Sequence, residues 1–253
     1  MDFFSIATIV GTYTLIKLSS RHGLKLQFLS ENSWNLILWT IIGARLASLL
    51  VNYQIYFYKF DFQTISHIFF IWDQGLSLWG AIAGFLIAFS LLCKKNEQDF
   101  WKWLDVIVPA VILALGIGHI GAFFEGVNYG HETNLPWGVN FESASIKYAV
   151  AIHPTQIYAF LYSIIISSSL IYLSHTKKIQ NLKEPGFIGL LGIILYNFLR
   201  FLEEFLRGDD IQMIFSIRIP QIATLVVVIT TGIFLYIKYN RPELLKRKKK
   251  WKR

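Results

Sequence analysis

The sequence is 253 residues long, 54% hydrophobic and 16% charged, with a formal net charge of +8 and a mean hydropathy of +0.47. Soluble globular domains carry about 25% charged residues, so this composition excludes an ordinary soluble enzyme or binding module. Its single cysteine, Cys93, excludes an intrachain disulfide. We therefore expect an all-α, polytopic integral membrane protein.

Seven apolar runs, taken in chain order, approach or exceed the roughly 20 residues needed to cross a hydrocarbon core. They cover residues 3–18, 34–51, 76–93, 105–124, 155–173, 186–206 and 218–238. We expect them to form a single seven-helix transmembrane domain over residues 1–240, followed by a basic cytoplasmic tail at residues 241–253. The first run has no basic residue ahead of it and no cleavage-site pattern, which predicts a retained helix rather than a signal peptide.

The basic residues are distributed unevenly between the two sides that these spans define. If the N-terminus is outside, the inner segments and the tail hold most of the 24 Lys and Arg residues, and the outer loops hold only Lys59, Lys147, Arg207 and Arg218. This asymmetry predicts an outside N-terminus and a cytoplasmic C-terminus. The tail is interpreted as a topology signal that also attracts anionic lipid headgroups, so no nucleic-acid partner is expected.

Two of the predicted outer loops are long, at residues 52–75 and 125–154, and both are rich in aromatic residues, Gly, Asn and Pro. Long loops in compact proteins are commonly functional. We therefore expect the working residues on the outer face.

The segment YNFLRFLEEFLR, residues 196–207, brings charges to the end of the sixth span. Tyr196, Arg200, Glu204 and Arg207 share one helical face because residues three or four apart are neighbours, and Glu203 can also reach both arginines. Charges inside a membrane usually face the bundle interior, paired or near water. Two interpretations follow: a self-neutralising ion-pair ladder, or an arginine held by a carboxylate so that its guanidinium can bind an anionic headgroup.

Two histidines lie near the predicted outer ends of spans. His119, in GIGHIGAFFEGVNYG, is either a packed residue or a proton donor or acceptor, and His153, in HPTQIY, can cap the fifth span or titrate near neutral pH. Neither belongs to a cluster with metal-ligand spacing, and the sequence has no phosphate-loop glycine pattern, so neither a metal nor another cofactor is expected. Arg45, in GARL, lies mid-span and requires a partner on another helix or a lipid phosphate.

Taken in order over essentially the whole chain, these segments resemble one family. GARL, IWDQGLSLWGAIAG, GIGHIGAFFEGVNYG, HPTQIY and YNFLRFLEEFLR are similar to motifs of the prolipoprotein diacylglyceryl transferases of bacterial inner membranes. The resemblance implies transfer of the diacylglyceryl group of phosphatidylglycerol to the lipobox cysteine thiol of a prolipoprotein, in the bacterial cell (inner) membrane. It implies catalytic roles for Arg200, His119, Glu204, Tyr196 and His153, and substrate-binding roles for Arg45, Gly121, Gly130, Gln156 and Arg207.

The sequence also departs from the family pattern at several motif positions. His119 stands where the family has an arginine, Ala122 where it has an asparagine, Val127 where it has a glutamate, and Trp79 where it has a histidine. These departures leave open a family member that binds lipid or lipoprotein precursors without the usual reaction or with a different specificity. An unrelated seven-helix transporter or channel is the third hypothesis.

Overall fold

The computed structural model describes residues 2–53, 76–141, 150–176, 185–211 and 213–240. These residues contain seven α-helices: α1 (Phe3–Arg21), α2 (Gln27–Val51), α3 (Leu78–Lys95), α4 (Phe100–Glu125), α5 (Thr155–His175), α6 (Phe187–Glu203) and α7 (Ile219–Asn240). A 3-10 turn (Glu204–Leu206) and an antiparallel hairpin of β1 (Met213–Ile214) and β2 (Ile217–Arg218) connect α6 to α7. The predicted all-α class is confirmed. The predicted basic tail and most of the predicted outer loop 52–75 lie outside the described residues.

Within these ranges, six helices are long and apolar enough to cross a membrane, namely all except α6. The 17 residues of α6 span only about 26 Å at 1.5 Å per residue. The 3-10 turn continues the same direction for about 6 Å more, which brings the combined length to that of a hydrocarbon core about 30 Å thick. We therefore expect the charged segment at the end of α6 to lie at one edge of the apolar layer.

The chain divides into two compact units, Gly23–Phe100 and the remainder. The smaller unit contains α2 and α3, which pack through glycines: a Cβ added to Gly84 would lie 2.3 Å from the carbonyl oxygen of Trp39, and one added to Gly80 2.3 Å from that of Gly43. Gly80 and Gly84 thus let the two helix backbones approach closely, as small residues four apart do in membrane helices. The single domain expected over residues 1–240 stays a prediction.

The larger unit contains α1, α4, α5, α6, α7 and the hairpin. Its core is a cluster of apolar side chains from three helices, Ile112 of α4, Ile166 and Leu170 of α5 and Ile188 of α6. Tyr196 packs against this cluster from α6. The buried core therefore extends to the C-terminal end of α6, where the charged residues lie.

The start of α4 differs from the prediction. The helix begins at Phe100, five residues before the predicted start, so Asp105 lies in its second turn. Its carboxylate accepts hydrogen bonds from the backbone N–H groups of Gly186 (2.6 Å) and Gly189 (2.8 Å) at the start of α6. Asp105 thus satisfies N-terminal N–H groups of α6, where the N-cap Gly186 has φ +96° and no side chain of its own to do so.

Candidate active site

The centre of the candidate site is Arg200, in the last turn of α6. Its Nη1 donates a hydrogen bond to Glu203 Oε1 at 2.7 Å, and its Nη2 lies 3.1 Å from Glu204 Oε2. Glu203 and Glu204 are buried, whereas the Arg200 side chain is 19% exposed. The expected pairing of Arg200 with acids three and four residues later is confirmed, and Arg200 is left with one edge open.

Two further arginines, Arg207 and Arg218, pair with acidic side chains next to Arg200. Arg207 donates to both carboxylate oxygens of Asp209 (2.8 and 2.6 Å) and to Asn128 Oδ1 (2.7 Å). Arg218 donates to Glu204 Oε1 (2.7 Å) and Asp209 Oδ1 (2.9 Å). Both arginine side chains are buried, so their charges require these partners.

Arg218 and Asp209 were not among the residues predicted from the sequence. Arg218 is the last residue of β2, fourteen positions from Glu204, and only the hairpin brings the two together. Asp209 is in the GDD segment that directly follows Arg207, and this adjacent acid was the one available signal. The pKa of Asp209 lies below its ordinary value: burial alone would raise it, but the hydrogen bond from Arg207 and the charges of Arg207 and Arg218 outweigh that effect.

The cluster contains three guanidinium groups (Arg200, Arg207, Arg218) and three carboxylates (Glu203, Glu204, Asp209). With all six ionised, the formal charges cancel. Arg200 is the most exposed of the three arginines. Since a guanidinium has five N–H donors and this one makes a single hydrogen bond within the described ranges, Arg200 retains donors for an anion.

Two tyrosines and a histidine border the cluster on the side of the apolar core. Tyr162 of α5 donates to Glu203 Oε2 at 2.7 Å, and its ring packs edge-on against Tyr196 with 5.7 Å between ring centroids. His119 Nε2 lies 3.4 Å from the Tyr196 hydroxyl. His119 and Tyr196 are therefore brought to the site as the sequence predicted, and Tyr162 is an additional member that no motif indicated.

The loop after α4 forms another wall. Gly130 forms an isolated β-bridge with Arg207, and the His131 N–H donates to the Leu206 carbonyl at 2.8 Å. A Cβ at position 130 would lie 2.5 Å from the His153 carbonyl oxygen, so only glycine allows this close approach. Gly130 therefore shapes the wall through its backbone.

Gln156 and Thr155, at the start of α5, hold the same loop. Gln156 Nε2 donates to the Val127 carbonyl and Thr155 Oγ1 to the Asn128 carbonyl, each at 2.6 Å, and both side chains are buried. The amide nitrogen of Gln156 thus holds the loop that presents Asn128 to Arg207, while its buried Oε1 has no hydrogen-bond partner among the described residues. Gln156 acts on the cluster through this scaffold.

His153 does not cap α5. The N-cap is Pro154, and no side chain caps the helix; instead His153 Nδ1 lies 3.2 Å from the Tyr158 hydroxyl, which also accepts from Trp137 Nε1 at 2.8 Å. In the described structure no ion pair or hydrogen bond joins the His153 side chain to the charged cluster. Its pKa lies below the ordinary value because of partial burial and the nearby charge of His131.

Two predicted binding residues have other surroundings. Gly121 lies where α4 meets α1, and a Cβ there would approach Phe3 Cβ to 3.0 Å. Arg45 is buried on α2 within the smaller unit. Trp79, the second residue of α3 in the same unit, is exposed. In the ranges described, no three His, Cys, Asp or Glu side chains are grouped closely enough to hold a metal ion.

Comparisons with known proteins identify the family. A sequence model of prolipoprotein diacylglyceryl transferase matches residues 3–237. The chain is 31% identical over 242 residues to a phosphatidylglycerol–prolipoprotein diacylglyceryl transferase of Finegoldia magna, covering 94% of this chain and 89% of the relative. A relative with the same name from Prochlorococcus marinus is 30% identical over 221 residues (82% and 74%), and one from Clostridium tetani is 35% identical over 164 residues (64% of each). This multi-pass membrane protein belongs to the prolipoprotein diacylglyceryl transferase family.

Proposed function

We propose that this protein transfers the diacylglyceryl group of phosphatidylglycerol to the lipobox cysteine thiol of a prolipoprotein, in the bacterial cell (inner) membrane. Its N-terminus would be outside and its C-terminus cytoplasmic, as the basic residues predict. The observation that carries the proposal is Arg200: a guanidinium at the edge of the apolar layer, oriented by two buried carboxylates and partly open.

The reaction breaks the bond between the diacylglycerol carbon and the phosphate oxygen, and it forms a thioether bond from the cysteine sulfur to that carbon. The phosphate leaves as glycerol phosphate and gains a negative charge, while the thiol loses its proton. Donors that are already oriented toward the developing charge stabilise such a transition state. Arg200 is assigned this role, because its orientation is fixed by Glu203 and Glu204 before the lipid arrives.

The second requirement is a base for the thiol, whose ordinary pKa is about 8.5. We assign this role to His119, whose Nε2 contacts the Tyr196 hydroxyl one turn before Arg200. In the tautomer that carries its proton on Nε2, this nitrogen donates to the Tyr196 hydroxyl, which fixes the ring orientation. The unprotonated Nδ1 then accepts the thiol proton. His153 contacts Tyr158 instead, so we assign it to the support of the loop that carries Asn128.

Of the other predicted binding residues, Arg207 is buried and directs its Nε and Nη2 donors to Asp209 and Asn128. We therefore propose that Arg207, together with Gly130 and Gln156, positions the loop that follows α4 rather than contacting the phosphate. No metal or organic cofactor is required by this scheme, and no nucleic-acid partner is proposed.

The test is a reconstituted assay with purified protein, phosphatidylglycerol vesicles and a lipobox peptide, with the lipidated peptide measured by mass. The wild-type protein should form the lipidated peptide. No product should form when phosphatidylcholine vesicles replace phosphatidylglycerol, when the peptide carries Cys→Ser, or when the protein carries Arg200→Gln. Arg200→Lys keeps the positive charge but loses the planar guanidinium with its paired N–H donors. We therefore expect kcat to fall by a larger factor than KM rises. The matched control is Lys25→Gln, an exposed cation in the loop between α1 and α2, which should retain activity.

A second function is favoured by one observation, that His119 stands at a position where the family has an arginine. An imidazole cannot replace a permanently charged fork, so the chain could instead bind phosphatidylglycerol or the precursor without reacting. Retention of phosphatidylglycerol by folded protein, with no lipidated peptide formed, would support this function and contradict the first.

A further inference from the structure

The hairpin between α6 and α7 has an unusual tip. Ile214 pairs with Ile217, which leaves Phe215 and Ser216 as a two-residue turn. Both have positive φ values, +48° and +63°, as a type I′ turn requires. Such turns favour Asn and Gly, and a bulky residue in this backbone region is strained. The sequence nevertheless places phenylalanine there.

The same phenylalanine is almost completely uncovered. Phe215 is 95% exposed, and it is surrounded along the hairpin by exposed Met213, Ile217 and Ile211. Because the ring makes so little contact with the rest of the chain, replacing it with Asn or Gly would cost the fold no packing. Strained backbone and an uncovered apolar tip together indicate a partner outside the chain.

The base of the hairpin is held firmly. Arg218, at the end of β2, is buried and bonds to Glu204 and to Asp209, and its backbone N–H donates to Gln221 Oε1 at 3.1 Å. These contacts connect β2 to the end of α6 and to the first turn of α7. The tip is therefore presented in a fixed position rather than on a free loop.

The position of the hairpin identifies the partner. It joins the end of α6 to the start of α7 at Ile219, and α7 is apolar enough to span a membrane. Phe215 is four residues from Ile219 and so lies within about 14 Å of it along the chain. The headgroup layer on each side of a bilayer is roughly 5–8 Å thick, so the tip stays within reach of lipid.

We propose that the hairpin is a membrane anchor: Phe215, with Met213 and Ile217, inserts into the bilayer surface at this end of α6 and α7. Aromatic residues favour this layer. The only basic residue from Gly208 to Arg218 is the buried Arg218, and Asp209 and Asp210 are acidic. The attraction is therefore hydrophobic, and insertion should not depend on anionic lipid or on salt. The proposal does not depend on the transferase reaction.

The experiment uses the full chain in vesicles with one nitroxide label. Cys93 is buried, and Cys93→Ala provides the background for Phe215→Cys, Met213→Cys and the control Asp210→Cys, an exposed polar position in the same loop. Relaxation of the label by oxygen and by a water-soluble nickel complex reports its depth. We expect the oxygen-to-nickel ratio at positions 215 and 213 to exceed that at 210 several-fold, equally in phosphatidylcholine and phosphatidylglycerol vesicles.

Equal ratios at positions 215, 213 and 210 would overturn the proposal. It would also be overturned if the label at 215 became protected only after a signal-sequence peptide was added, because the partner would then be the peptide. Phe215→Asn provides a separate check, since Asn tolerates positive φ. The detergent-solubilised variant should unfold at an unchanged or higher temperature, and a lower one would make Phe215 a packing residue and contradict the anchor.

Discussion

Replacing Arg218 with methionine should be among the most destabilising single changes in the described chain. The guanidinium donates to Glu204 Oε1 at 2.7 Å, to Asp209 Oδ1 at 2.9 Å and to the Asp209 carbonyl at 3.0 Å. Glu204 is only 1% exposed. Methionine fills part of the volume but removes the closest cation from the buried Glu204 carboxylate, which keeps Arg200 at 3.1 Å and Arg207 at 4.0 Å.

The expected magnitude follows from the loss of the shortest of the three ion pairs that Glu204 makes among the described residues. Removing one partner of a buried ion pair costs about 3–5 kcal/mol, and in a chain of this size 1 kcal/mol shifts Tm by roughly 2–4 °C. Arg218→Met should therefore lower the unfolding temperature of the detergent-solubilised protein by roughly 6–20 °C. Lys25→Met removes an exposed cation in the loop between α1 and α2 and serves as the matched control, with a change near zero.

A double-mutant cycle tests the cause. If the penalty comes from stranding the Glu204 charge, Glu204→Gln should offset much of it, and the double variant should be more stable than the sum of the two single changes predicts. Additive losses, or a loss for Arg218→Met no larger than that of Lys25→Met, would refute the role assigned to the buried pair.

Three further changes should have measurable effects on the same unfolding temperature. Asp105→Asn weakens the acceptor for the first turn of α6 and should cost about 1 kcal/mol, a few degrees, whereas an unchanged Tm would contradict its capping role. Gly84→Ala should destabilise by about 1–3 kcal/mol because the new Cβ meets the Trp39 carbonyl, while Gly232→Ala, which meets nothing, should not. The pKa of Asp209 is lowered in the fold, so its contribution to stability is present at neutral pH and is lost as pH falls below about 4; Asp209→Asn should flatten a Tm profile measured from pH 7 to 3.

The features predicted well from the sequence are those set by neighbouring residues. Long apolar runs predicted the helices because hydropathy is a sum over adjacent positions. The contacts of Arg200 with Glu203 and Glu204 followed from helical spacing alone. The start of α4 was missed because the polar and charged residues among Phe100–Asp105 lower the local hydropathy, although the backbone there is already helical.

The features that were missed depend on contacts between distant positions. Asp105 and Gly186 are 81 residues apart, and Tyr162 and Glu203 are 41 apart, so no window of sequence contains both members of either pair. The hairpin was missed for a different reason. Its turn residues, Phe215 and Ser216, lack the Asn or Gly that normally indicates a two-residue turn.

The charge balance of the cluster limits how the proposed reaction can be assisted. With all six groups ionised, the three arginines and three carboxylates cancel in formal charge, so the cluster itself adds no net long-range attraction for a phosphate. Arg200 must act through its own oriented donors, at hydrogen-bond distance. A guanidinium already paired with Glu203 and Glu204 binds a singly charged phosphodiester modestly and gains more as the leaving phosphate acquires its second charge. Stronger binding of the transition state than of the ground state raises kcat rather than affinity. Arg200→Lys, which lacks the paired guanidinium donors, should therefore lower kcat by a larger factor than it raises KM.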